Sequence, residues 1–205
     1  MELKGDVLPG YRINEYQVIL NPHDDLQERI KHVQEGFATT YKTEYKLGGR
    51  PNVGLVTWMQ YEMYEARLRE RLKLVGLEYP PFKVELKDFG SYPSHTIFIN
   101  VASRLPVQNL IREIRERAQM FMKLNPETKP HFLQEPHITV ARKLKPWQYE
   151  KGWLEYSHKH FTGKFIADAM LLLKRPQGTK SWQIAERFTF MNLPVQLKTE
   201  QGLLF

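Results

Sequence analysis

Pro136-His137-Ile138-Thr139-Val140-Ala141-Arg142 reads as a short strand that sends two kinds of side chain in two directions. Successive residues of a strand point to opposite faces, so His137 and Thr139 share one face while Ile138 and Val140 share the other and enter a core. An imidazole that titrates near neutral pH and a hydroxyl, side by side on a rigid backbone, suit work on a phosphate: one moves a proton, the other hydrogen-bonds a phosphoryl oxygen. The spacing equally describes an ordinary strand that begins with His, because an isolated H-x-T is common. If the strand is regular, Arg142 falls on the Ile138 face and need not touch a substrate.

Outward from this stretch the elements come in a repeating order. Tyr16–Leu20 reads as a strand. A helix over 24–41 follows, capped by Asp24 or Asp25, with Leu26, Ile30, Val33 and Phe37 on one face. Lys46 to Pro51, with Gly48-Gly49, is a loop, and Val53–Met59 is the next strand. A second helix carries Tyr64, Leu68, Leu72 and Val75 on one face and is stopped by Gly76. Phe82–Leu86 alternates as a half-buried strand does, and Gly90 turns the chain. Thr96–Val101 is a strand. The helix 106–122 opens at Pro106 with a Val107, Leu110, Ile114, Ala118, Phe121 stripe, and a loop at 126–136 leads to the strand Ile138–Ala141. A helix over 146–160 and two strands, Phe165–Lys174 and Trp182–Phe190, complete the reading. Strand–helix–strand therefore occurs twice, which predicts a duplicated α+β fold.

Composition bounds the rest. The 205 residues hold 30 Lys and Arg against 23 Asp and Glu, a net charge of +7, which suits an anionic partner but is also carried by plain proteins. Cysteine is absent, so disulfide scaffolds, thiol nucleophiles and Cys-based zinc sites are excluded. Seven histidines without Asp or Glu at ligand spacing make no metal site. The longest purely apolar run, Ala169–Leu173, falls far short of the roughly 18 to 20 residues a membrane span needs. Residues 1–14, with Glu2, Asp6 and a Pro9-Gly10 turn, do not read as a secretory signal, and a cytoplasmic location without a membrane partner is expected.

His137-Ile138-Thr139-Val140-Ala141-Arg142 resembles the second signature of the two-histidine (2H) phosphoesterases, in the branch of 2′-5′ RNA ligase-like proteins. The resemblance extends to Phe82–Gly90, the helix 106–122, the loop ending in Glu135-Pro136-His137 and the late strands, and covers roughly residues 15–194. It implies one bilobal domain over 15–194, between a lead (1–14) and a tail (195–205). A first lobe of about 15–80 and a second of about 81–194 would bring two antiparallel sheets to a central cleft, with helices outside. Each lobe would offer one H-x-T/S. Such proteins open 2′,3′-cyclic phosphates or act on 2′-5′ linkages of nucleotides or RNA ends, with no cofactor and no obligatory metal. A monomer is the expected state.

The first signature departs from this pattern. Arg50-Pro51-Asn52-Val53-Gly54-Leu55-Val56 keeps the inward Val53 and Leu55, but Asn52 stands for the His and Gly54 for the hydroxyl residue. Asn cannot shuttle a proton near neutral pH, and losing an acid or base role forfeits roughly 10²- to 10⁴-fold of rate. His95 is the candidate replacement. It shares a strand face with Ile97, Ile99 and Val101, so it serves in the cleft only if a bulge turns it; otherwise it starts the strand at the cleft edge. Thr96, Phe98 and Asn100 line the cleft on this reading. Phe98, with Ile19 at the matching place in the first lobe, offers a wall for a base or simply packs in the core. His131 is a loop residue that approaches the cleft or is solvated. Lys42, Lys46, Arg50, Arg142, Lys143 and Lys145 steer a phosphate backbone or form a solvated surface. The expected catalytic set is His137, Thr139 and His95; the expected substrate contacts are Asn52, Phe98 and Thr96. The function is hydrolysis of a cyclic or 2′-5′ phosphodiester, or, with the half-site degenerate, nucleotide or RNA binding without turnover. A protein-interaction scaffold using the tail from Pro194 is a third class.

Overall fold

Helix α1, Asp24–Tyr41, connects two neighbouring strands of one sheet yet packs against the other sheet. The computed structural model describes residues 10–44 and 49–191; Pro9, Lys46, Gly48 and the tail from Pro194 lie outside them. The strands are β1 (Ile13–Leu20), β2 (Val53–Tyr61), β3 (Phe82–Tyr92), β4 (Thr96–Val101), β5 (His131–Phe132), β6 (His137–Arg142), β7 (Thr162–Ala167), β8 (Ala169–Pro176) and β9 (Gln183–Thr189). The other helices are α2 (Glu65–Glu78), α3 (Arg104–Ala118) and α4 (Pro146–Tyr156).

Two antiparallel sheets result, ordered β5-β2-β1-β8-β9 and β6-β4-β3-β7. Helices α2 and α3 cover the first sheet, through β9 and β2. Helices α1 and α4 cover the second, through β6, β7 and β4. Each sheet thus buries one face under two helices, the arrangement that lets an antiparallel sheet keep its other face open. A single apolar cluster, from Tyr16 and Leu20 through Ile97 and Ile99 to Phe190, runs through both halves.

The sheets are not built from consecutive halves of the chain. Residues 169–189, expected in the second lobe, return to the first sheet, where β8 pairs with β1 and β9 with β8. The expected strand Phe165–Lys174 is in fact two strands in different sheets, β7 and β8, parted at Asp168. The two runs differ in burial, alternating in β7 and continuous over Ala169–Leu173 in β8, and the single Asp168 between them is too short a break for periodicity to separate two strands.

Several boundaries also move. Strand β1 starts at Ile13, inside the expected lead. His23, not Asp24 or Asp25, caps α1: its Nδ1 accepts from the Leu26 amide at 3.3 Å, and the two aspartates occupy the first turn, where the helix dipole favours them. Gly76 does not stop α2, which runs on to Glu78 before Pro80-Pro81; it lets the helix close on β9, since a Cβ there would stand 3.2 Å from both Phe188 Cβ and Thr189 O. Helix α3 begins two residues before Pro106 and ends at Ala118. Helix α4 ends at Tyr156, short of the basic residues to 160. Gly90 lies inside β3, opposite Phe98, and turns nothing.

One charged cluster braces the first sheet. The Glu65 carboxylate, on α2, is buried and accepts from Tyr16 Oη at 2.8 Å, Lys174 Nζ at 3.1 Å and Arg69 Nη2 at 2.5 Å. Burial alone raises its pKa. The hydrogen bonds from Tyr16 and Lys174 and the two cations outweigh that and hold it below the ordinary 4.5.

Candidate functional site

Strands β2 and β6 face one another across a groove with a cavity of about 1080 Å³. They are built alike. Along β6, Asn100↔His137, Ile99↔Ile138 and Phe98↔Thr139 are paired, then Val140 is skipped, and Ile97↔Ala141 and Thr96↔Arg142 follow. Along β2, Leu20↔Val53 and Ile19↔Gly54 are paired, Leu55 is skipped, and Val18↔Val56 and Gln17↔Thr57 follow. The bulge stands one residue beyond Thr139 in one strand and one beyond Gly54 in the other. Asn52 therefore corresponds to His137, Gly54 to Thr139, Ile19 to Phe98, and Thr57 to Arg142.

The bulge reverses one expectation. Skipping Val140 shifts the alternation by one, so Arg142 leaves the Ile138 face and lines the groove, beside Thr139. Arg142 is exposed, whereas Ala141 is buried in its former place.

His137 is held from three sides. Its Nδ1 lies 2.7 Å from the Glu135 carbonyl oxygen. A carbonyl only accepts, so Nδ1 carries the proton and, in the neutral ring, Nε2 carries the lone pair. Phe98 packs on the ring, centroids 4.5 Å apart, and Tyr92 meets it edge-on at 5.4 Å. This burial pushes the imidazole pKa below the ordinary 6.5; the Glu135 carbonyl and carboxylate pull weakly the other way. The imidazole is therefore neutral at pH 7. Behind it, Gly90 makes room for Phe98: a Cβ on Gly90 would lie 2.5 Å from Phe98 Cε2 and 2.6 Å from Asn100 Oδ1. Gln34, reaching from α1, donates to the Thr139 carbonyl at 2.7 Å and fixes the strand.

The opposite wall carries no titratable group at the matching place. Asn52 lines the groove and its Nδ2 donates to the Arg50 carbonyl at 3.0 Å. The space that a side chain on Gly54 would take is already filled, with Gln17 Nε2 at 3.2 Å and Leu133 Cδ2 at 3.3 Å from that Cβ position. Gln17, on β1, was not singled out in the sequence, where one polar residue within Tyr16–Leu20 carries no signal. Its amide offers a donor in the half-site that lacks a hydroxyl.

The remaining expected residues divide. His95 lies in the β3–β4 turn, exposed, with its Nδ1 2.6 Å from Thr96 Oγ1, and is not among the groove-lining residues. Thr96 is buried and lines neither cavity. Phe98, 7% exposed, supports His137 instead of forming a wall. The segment 126–136 is not simply a loop: β5 within it adds to the first sheet, Val56↔Phe132 and Thr57↔His131, and brings His131 into the groove with Lys129 and Gln134. A second cavity of about 530 Å³ adjoins the first through Gln17, Asn52, Thr139 and Arg142. Its apolar floor is Ile19, Leu171 and Leu173, with Trp182 beside them. No group of three or more His, Asp or Glu suited to a metal ion occurs among the described residues, and no helix among them is long and apolar enough to cross a membrane.

Comparison with known proteins agrees with this architecture. The family model described as the 2′-5′ RNA ligase superfamily matches residues 22–179. LigT of E. coli, in a crystal structure with 3′-AMP, aligns at 14% identity and TM-score 0.60 over 87% of this chain and 98% of its own. TT0787 of Thermus thermophilus aligns at 12% identity and TM-score 0.62, over 86% and 98%. Usb1 of Kluyveromyces marxianus aligns at 12% identity and TM-score 0.51, over 88% and 99%. No curated protein matches the sequence.

Proposed function

The chain belongs to the 2′-5′ RNA ligase superfamily, and from that premise we propose that it hydrolyses a 2′,3′-cyclic phosphate or a 2′-5′ phosphodiester of a nucleotide or RNA end, with His137 as general base. Membership supports a phosphoesterase-type or RNA-processing role. The observation that carries the finer reading is the His137 Nδ1 contact with the Glu135 carbonyl, which leaves Nε2 basic on the wall of the groove beside Thr139. Nε2 takes the proton of the attacking water. The water oxygen forms a bond to phosphorus while the bond from phosphorus to the ribose oxygen breaks. The Thr139 hydroxyl, the Gln17 amide and Arg142 bind phosphoryl oxygens.

Departure of the ribose oxygen calls for a proton on the Asn52 side. Asn52 can hydrogen-bond that oxygen but not protonate it, so water supplies the proton and the rate falls roughly 10²- to 10⁴-fold below that of a site with two acid–base groups. His95 and Thr96 take no part, given their places outside the groove. The apolar floor of the adjoining cavity, Ile19, Leu171 and Leu173 with Trp182, receives the base.

The test is turnover of nucleoside 2′,3′-cyclic phosphates by the wild type and by His137→Ala. A loss of about 100-fold or more in His137→Ala is expected, and equal rates remove His137 from the chemistry. A second reading, nucleotide or RNA binding without turnover, is favoured by Asn52 and Gly54. It takes over if 3′-phosphorylated nucleotides bind and no cyclic or 2′-5′ substrate is consumed.

A further inference from the structure

Past Thr139 and Gly54 the groove continues along β2 and β5, where two basic side chains and an imidazole line it. Arg115 of α3, Lys129 and His131 line this end. Among the described residues Glu135 is the one acid lining the groove, and it accepts from Tyr92 Oη at 3.3 Å at the His137 end. The total of about 1080 Å³ lies above the roughly 300 to 1,000 Å³ that encloses a single small ligand. Gly54 and Thr57 are three residues apart with one skipped in the bulge, so the His131–Thr57 pair sits about 7 to 10 Å from the first phosphate position by strand rise. A phosphate bound at Thr139 cannot reach that far; the phosphate of the next nucleotide can.

These three side chains are held there by structure. Val56↔Phe132 pairing and the Leu133 amide on the Leu55 carbonyl, 2.9 Å, tie 131–133 to β2. Gln108 Nε2 donates to the Gln134 carbonyl at 3.1 Å from α3. The Arg115 guanidinium lies over the Phe132 ring, 4.6 Å from its centroid, on an exposed residue, which positions the charged group at this end of the groove. Thr128 Oγ1 accepts from the Leu124 and Asn125 amides at 2.8 and 3.0 Å, and so orders the turn that precedes Lys129.

We propose that Arg115, Lys129 and His131 form a second phosphate subsite, which takes the internucleotide phosphodiester one step from the phosphate at Thr139. The protein then prefers an oligonucleotide end to a mononucleotide with the same terminus. This rests on the reading of the groove as a phosphodiester site. Dissociation constants for RNA mono-, di- and trinucleotides that end in a 3′-phosphate test it, at two salt concentrations, on the wild type, Lys129→Ala and Arg115→Gln.

The trinucleotide is expected to bind about tenfold tighter than the mononucleotide at low salt, with a log–log salt slope steeper by about 0.7 for each added phosphate contact. Either substitution should cut that advantage. An advantage below about threefold in the wild type, or one that survives both substitutions, overturns the proposal. Cyclic mononucleotide turnover is followed alongside. Length dependence without turnover removes the phosphoesterase reading alone, and turnover without length dependence removes the second subsite alone.

Discussion

Phe98 and Gly90 stand directly opposite each other on β4 and β3, and the missing side chain of the glycine is what lets the phenyl ring lie against His137. Gly90→Ala therefore acts on the site without touching the groove. The added methyl meets the ring at 2.5 Å, so the ring or the strands must shift. A loss of about 1 to 3 kcal/mol in chemical denaturation is expected for such overpacking, with a loss of turnover beyond what instability explains. Unchanged turnover would show that the Phe98 support is dispensable.

Burial holds the His137 imidazole below the ordinary 6.5, so the basic form is already present at neutral pH. The kcat/KM profile should rise with pH through an inflection below 6.5 and level above it. Phe98→Ala, which admits water to the ring, should move the inflection up toward 6.5. NMR titration of the imidazole gives the same shift independently of turnover. For stability the sign is the same: the unfolded chain binds the proton more readily, so the fold weakens as pH falls through 6.5.

Asn52→His restores a titratable group at the place that corresponds to His137. It should raise the hydrolytic rate by about 100-fold, the lower end of what one proton-transfer group contributes. Gly54→Thr should not add to this, because its Cβ meets Gln17 Nε2 at 3.2 Å and Leu133 Cδ2 at 3.3 Å. The pair of single variants and the double variant, assayed on one cyclic nucleotide, check both statements. A flat response to Asn52→His would place the leaving oxygen elsewhere.

Glu65 ties α2 to β1 and β8 through Tyr16 and Lys174. Glu65→Ala removes the acceptor of the buried Tyr16 hydroxyl and leaves Lys174 only the longer contact with Glu62, 3.7 Å, and should cost about 3 kcal/mol in urea unfolding. Because the carboxyl pKa is depressed in the fold, its contribution is complete above 4.5 and fades as pH drops through the lower folded value. Tyr16→Phe, which removes one of the hydrogen bonds, should cost less, about 1 kcal/mol.

Much of the fold could be read from periodicity, because α1, β2 and β6 each bury an apolar set at the spacing their geometry requires. His137 and Thr139 could be read for the same reason, two polar residues on the outer face of an alternating strand. What escaped was set by hydrogen bonding between distant segments. The skip at Val140 that turns Arg142 into the groove is a property of pairing with β4. The capture of His131 depends on β5, two residues long and too short to show any period. Gln17 gains its place from the empty Cβ of Gly54 two strand positions away across the sheet. His95 drew notice through its residue type, and its position in a three-residue turn decided against it.

The return of β8 and β9 to the side of β1 joins residues 14–19 to residues 171–176. During synthesis on the ribosome the first sheet waits, with one flank of β1 unpaired, until nearly the whole described chain has emerged. Contacts of such separation close slowly. An unpaired flank is also a place where chains stick to one another. The nascent protein is therefore most exposed to misassembly just before β8 and β9 complete the first sheet, and a shortened product that stops at β7 would keep that sticky flank for good.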